Sequence, residues 1–109
     1  FATKFFAAEI IREKIFELYD EEIPYQATVM VSKFEEKNTL IKIVAELVVQ
    51  RESQKAIILG SGGSKIKELG TRSRLDLEKF LDSKVFLELF VKVRNNWRNN
   101  ELYLKEYGY

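Results

Sequence analysis

Gly60-Ser61-Gly62-Gly63 holds more potential chemistry than any other segment of this sequence. Glycine tolerates positive φ and, lacking a Cβ, lets a ligand's backbone come close. From Ser64 to Leu81 the apolar residues recur at helical spacing, so the loop opens a helix whose unpaired N–H groups and positive dipole end favour anions. Lys65 and Lys67 add charge beside it. A short helical stretch, Gln54 to Leu59, leads in from the other side. Helix, glycine loop, helix and flanking lysines together read as a phosphate cradle.

Two nucleotide-binding loops are excluded by spacing. Walker A needs G-x-x-x-x-G-K-[ST], whereas Gly63 is followed by Ser64-Lys65 in the reversed order. The dinucleotide fingerprint G-x-G-x-x-G would need a glycine where Lys65 stands, and a strand before the loop. Catalysis is poorly supplied as well. The chain has no cysteine and no histidine, which removes disulfides, thiolate metal sites, thiol nucleophiles and the commonest general base. No nucleophile–base constellation is visible, so no enzyme is expected in this chain. Asp20-Glu21-Glu22 reads as a solvated turn and not as a set of metal ligands.

The net charge of +1 decides nothing, but its distribution does. Arg51 to Arg74 holds six basic residues against Glu52 and Glu68, leaving that stretch at +4 and the remainder at −3. Basic charge gathers around the glycine loop, as a phosphate-binding surface requires.

The length of 109 residues suits one domain, and 46% hydrophobic residues supply its core. No apolar run reaches the roughly 18 residues of a membrane span, and no signal-peptide pattern is seen. Opening on Phe1, the sequence reads as a fragment of something longer.

Several elements must position the loop. Phe5 to Leu18 is an amphipathic helix, with Ala7, Ile11, Ile15 and Leu18 on one side. Asp20 to Pro24 should end it, with residue 23 extended before the proline. Tyr25–Phe34 and Leu40–Val49 alternate as strands of an antiparallel hairpin around the polar turn Glu35-Glu36-Lys37-Asn38. Ser53 is the expected cap of the short helix. Across the long helix, Ile66, Leu69, Gly70, Ser73, Leu77 and Phe80 share a face. Lys65, Arg72 and Lys79 flank it on one side, Lys67 and Arg74 on the other. Val85–Arg94 is a third strand, whose Phe86 and Phe90 call for a cover from the first helix or the tail. Arg98–Tyr107 is weakly helical, and Trp97, Tyr103, Tyr107 and Tyr109 read as its packing anchors. The order α-β-β-α-α-β-α describes an α+β domain with a three-stranded mixed sheet packed on helices.

Ile58-Leu59-Gly60-Ser61-Gly62-Gly63-Ser64-Lys65-Ile66 resembles the signature of KH domains, whose GXXG loop clamps about four nucleotides. The element order matches the type II form with a C-terminal helix added. Further pieces resemble the C-terminal KH domain of the Era family of bacterial GTPases. They are Glu9 to Lys14, Ile23-Pro24-Tyr25, Arg51 to Lys55, Ile58 to Gly70, Leu87 to Leu89, Val91 to Val93, Trp97 and Gly108-Tyr109.

That resemblance implies one type II KH domain over 1–109, cut from a larger GTPase whose GTP and Mg belong to a domain outside this chain. It implies single-stranded RNA at the 3′ end of the 16S ribosomal RNA, the small ribosomal subunit as partner, and a role in ribosome biogenesis. It implies no cofactor in this chain, no DNA, a monomer, and a cytoplasmic parent that associates peripherally with the inner membrane. By position, Gly60, Ser61, Gly62, Gly63 and Ser64 would hold the RNA backbone. Lys55, Lys65, Lys67 and Arg72 would meet phosphates, and Ile58 and Ile66 would wall the groove. Ile43, Ala45 and Leu59 would line that groove or the core beneath it. Ser61-Gly62 lacks the basic residue such loops often carry, which shifts the electrostatic work to Lys55, Lys65 and Lys67. The other reading of such a domain is a protein-interaction module docking on a partner or on the parent's GTPase domain.

Overall fold

The computed structural model describes residues 2–20 and 22–109. The expected order is present with one helix added. The elements are α1 (Ala2–Leu18), α2 (Glu22–Gln26), β1 (Thr28–Glu36), β2 (Ile41–Val49), α3 (Glu52–Leu59), a 3-10 turn (Ser61–Gly63), α4 (Ser64–Leu81), β3 (Val85–Val93), a second 3-10 turn (Trp97–Asn99) and α5 (Glu101–Glu106).

β2 is the central strand, antiparallel to β1 and parallel to β3. Strand periodicity sends Ile43, Ala45, Leu47 and Val49 to one side of β2, where all four are fully buried. Ile11 and Ile15 of α1, Ile58 of α3 and Leu69 and Leu77 of α4 cover them. Each such Leu or Ile contributes about 1.5–3 kcal/mol by leaving water. Ser73 is also fully buried, where a larger side chain would lift α4 off its neighbours. Lys14 ties α1 to α4 through Asp76, at 2.6 Å.

Four expectations are corrected. Pro24 does not end a helix: it lies in the first turn of α2, where its missing N–H has no intrahelical partner to lose, and Ile23 is helical and buried. Tyr25 therefore belongs to α2, and β1 starts at Thr28 and runs through Glu36. A register shift between Val31 and Lys33 then turns Phe34 inward opposite Ile43. Arg51, not Ser53, precedes α3, and the Gln54 side chain reaches back to accept from the amides of Gln50 and Arg51. Phe86 and Phe90 remain 50% and 53% exposed.

The tail reaches only the other end of that outer sheet face. There Thr28 and Val48 are fully buried, and Arg94 lies over the rings of Tyr103 and Tyr107. Trp97 Nε1 donates to Gln26 O, the Tyr109 hydroxyl hydrogen-bonds that of Thr28, and Arg12 donates to both hydroxyls.

Candidate nucleic-acid interface

The path of the chain between α3 and α4 turns on three glycines. Gly60 redirects the backbone at φ 73, ψ 177, and Gly62 and Gly63 follow in the left-handed region at φ 62 and φ 77. Gly63 N–H donates to Gly60 O, and Ser64 N–H to Ser61 O, which closes a tight turn. Ser61, Gly62 and Ser64 are exposed. The turn therefore exposes its backbone at the N-terminus of an 18-residue helix, where the helix dipole favours an anion.

Gly60 alone of the three has no room for a side chain. A Cβ there would stand 2.6 Å from Lys65 Cβ, whereas at Gly62 and Gly63 it would meet nothing within 4 Å. Behind the loop, the Tyr19 hydroxyl donates to Ile58 O at 2.7 Å, and Lys65 Nζ sits 5.7 Å from the centre of the Tyr19 ring. Burial first, and the Glu68 carboxylate second, push the Tyr19 phenol up to about 12.

From the loop a groove of about 310 Å³ runs between α4 and β3, lined by Ile66, Lys67, Gly70, Thr71, Arg74, Leu87 and Leu89. Helical spacing explains the α4 side: 66, 70 and 74 stack on one edge, with 67 and 71 beside them. Strand alternation explains the other side, with Leu87 and Leu89 turned toward the helices and Phe86, Glu88 and Phe90 away. Among the described residues β3 pairs only with β2, so its outer backbone edge is open alongside this groove. The floor is apolar and the rim basic. Lys67 has no carboxylate within ion-pair distance among the described residues, and Arg74 holds Glu78 at 3.1 Å.

The expected site residues divide accordingly. Gly60 to Ser64, Ile66 and Lys67 fall together at the loop and groove. Lys55 lies half-buried on α3, one turn before the loop. Ile58 is corrected to core: it is fully buried, as are Ile43 and Ala45. Arg72 stands apart from the groove. It lies on the opposite flank of α4, bound to Glu68 at 3.0 Å, and Lys65 leans toward that same carboxylate and the Tyr19 ring. Missing from the expected set are Thr71, Arg74, Leu87 and Leu89, with Gly70 as the close-approach point on α4. The sequence did mark Lys67 and Arg74 as one flank of the helix, but not that this flank meets β3.

A helix–GXXG–helix inserted between parallel strands, with a groove along the second strand, defines a KH domain. The KH domain model matches residues 22–98, and the chain belongs to that family. Its relatives carry a more particular name. It is 51% identical over 110 residues to the GTPase Era of Syntrophus aciditrophicus (strain SB), covering 99% of this chain and 36% of that protein. It is 51% identical over 107 residues to the chloroplastic GTPase ERA-like protein of Oryza sativa subsp. japonica, covering 97% of this chain and 25% of the relative. Among solved structures it superposes on a point variant of Aquifex aeolicus Era bound to GDP·AlF4− with a TM-score of 0.91 and 38% identity. The same values hold for Era in complex with MgGDPNP and nucleotides 1506–1542 of 16S ribosomal RNA. Both matches cover 96% of this chain and 36% of the other. The chain thus spans about a third of the bacterial relatives it matches.

Proposed function

We propose that this chain is the single-stranded-RNA-binding KH domain of an Era-like GTPase, with the loop on the RNA backbone and the α4–β3 groove on the bases. The observation that carries this reading is the continuity of the two. The exposed loop Gly60–Ser64 leads, two residues on, into a groove with an apolar floor (Ile66, Leu87, Leu89) and with Lys67 and Arg74 along its rim. Phosphates suit the first and unstacked bases the second. The free edge of β3 offers backbone donors and acceptors to base edges, beside the Thr71 and Arg74 side chains of the groove.

The similarity to Era solved with nucleotides 1506–1542 of 16S ribosomal RNA supports small-subunit ribosomal RNA as the ligand; we read its 3′ region as the site and ribosome assembly as the setting. GTP and Mg are assigned to a GTPase domain outside these 109 residues, the chain itself forming one domain over 1–109. No helix among the described residues is long and apolar enough to cross a membrane. We read the parent as cytoplasmic with peripheral membrane association, and this domain as a monomer that takes RNA and not DNA.

The test is the double substitution Ser61→Asp, Gly62→Asp. Both positions are exposed, a Cβ at Gly62 meets nothing, and Asp tolerates the left-handed backbone there, so the fold should persist. Negative charge at the phosphate position should abolish binding of single-stranded RNA; retained affinity would sink the reading. Affinity should also fall steeply as salt rises. A second use, as a docking surface, is favoured by one observation. Phe5, Phe6 and Phe80 pack together at 5.5 and 6.0 Å between ring centres, yet each is about half exposed. An association that ignored both salt and the loop substitutions would point to that use.

A further inference from the structure

The GXXG loop hangs between two helix ends, so its geometry depends on what holds those ends at a fixed angle. The last four carbonyls of a helix have no partner within it. In α3 the Ala56 carbonyl takes the Gly60 N–H, at 3.0 Å. The Ile58 carbonyl belongs to a fully buried residue, away from water. It receives the Tyr19 hydroxyl at 2.7 Å, from a residue that follows α1 and is itself buried. On the other flank, the Lys65 ammonium rests on the face of the same ring, at 5.7 Å. Lys65 also carries the Cβ against which Gly60 packs. One side chain therefore meets the last turn of α3 through its oxygen and, through its ring, the ammonium of Lys65 from the first turn of α4.

We infer that Tyr19 is a positioning residue for the RNA clamp: it braces both ends of the Gly60–Gly63 loop and so sets the direction of the loop's backbone donors. The inference rests on the RNA-binding reading above. The brace also links α1 to the clamp, so a movement of α1 against the sheet would be felt at the loop. Lys65 is a part of this brace more than a phosphate ligand, which fits its partner Glu68.

Tyr19→Phe removes the oxygen and keeps the ring. In the 109-residue chain, well below its unfolding midpoint, this variant should bind a short single-stranded RNA about three- to tenfold more weakly, the scale of one lost buried hydrogen bond. The slope of affinity against salt should not change, since no phosphate contact is lost. Amide NMR shifts should move at Gly60–Lys65. Trp97→Phe, which deletes the Nε1 bond to Gln26 O far from the loop, is the control for general destabilisation. It should leave RNA affinity within about twofold, the ordinary error of such comparisons.

If Tyr19→Phe lowers the unfolding midpoint but leaves RNA affinity and the loop amides unmoved, the inference is overturned and Tyr19 is core only. If the unaltered chain binds no RNA, the functional reading fails on its own. The loop amides then decide the brace: shifted, it stands; unshifted, it falls.

Discussion

Replacing Gly60 with alanine should be the most damaging single change in the loop, and by a margin that geometry sets. Three glycines there have positive φ, and φ alone would rank them together. Gly60 differs twice. Its φ 73, ψ 177 lies in a region that is essentially glycine's own, at about 1–3 kcal/mol for any other residue. A Cβ would also press on Lys65 Cβ at 2.6 Å and on Lys65 N at 3.0 Å. Those atoms are the start of α4, which cannot swing aside as a side-chain tip would, so overpacking adds about 1–3 kcal/mol. Gly62→Ala and Gly63→Ala meet open space and carry only the left-handed penalty of about 1–2 kcal/mol, partly offset by a stiffer unfolded chain. Gly60→Ala should therefore lose about 2–5 kcal/mol, and each of the others about 0.5–1.5 kcal/mol. Urea denaturation with unchanged m-values measures this. Gly60→Ala should also weaken RNA binding at temperatures where it is folded, because α4 must shift. If its stability matched Gly62→Ala within about 0.5 kcal/mol, the wedging of the loop against Lys65 would be refuted.

Other outcomes follow from the same geometry. Lys67→Ala should weaken RNA binding and lower the magnitude of the salt slope by about 0.7 per lost contact, the single-strand value, whereas Arg72→Ala should change neither, since Arg72 lies on the far flank with Glu68. Leu77→Ala, in the fully buried layer between α1 and the sheet, should cost about 2–5 kcal/mol in thermal or urea unfolding. Burial should hold the ionisation of Tyr19 and Tyr107 above a free phenol's ordinary value in an absorbance titration, and Tyr19→Phe should delete the step near 12. The sign is fixed by linkage: the folded state keeps a proton that the unfolded state releases near 10, so Tyr19's share of stability is intact below pH 10 and falls as pH rises toward 12.

The parts of the fold with an unambiguous local code were legible from the residues. α4 begins after the glycine loop at Ser64 and ends at Leu81, as its stripe of Ile66, Leu69, Ser73 and Leu77 indicates. β2 and β3 follow from strict alternation. What failed depended on neighbours. Pro24 looked like a terminator because its effect depends on which turn of a helix it enters, and α2 is too short to announce itself by periodicity. Phe86 and Phe90 called for a cover, but the tail is held at the Thr28 end by Trp97 and Tyr109. Within the site, the glycines and Lys67 could be read directly. Ile58 could not, because an apolar residue beside a loop can face inward or outward. Arg72 and Arg74 flank the same helix at equivalent angles. Only the packing of α1 and β3 on opposite flanks of α4 separates an ion-pair partner from a groove residue.

Loop and groove should behave as one RNA surface. Amide NMR mapping of the 109-residue chain, titrated with single-stranded RNA from the 3′ end of small-subunit ribosomal RNA, tests this most directly. The expected result is a contiguous set of shifted signals at Gly60–Ser64, Ile66, Lys67, Thr71, Arg74, Leu87 and Leu89, with α1's Phe5 and Phe6 silent. Shifts that left Gly60–Ser64 and β3 untouched, or gathered at Phe5, Phe6 and Phe80, would contradict it.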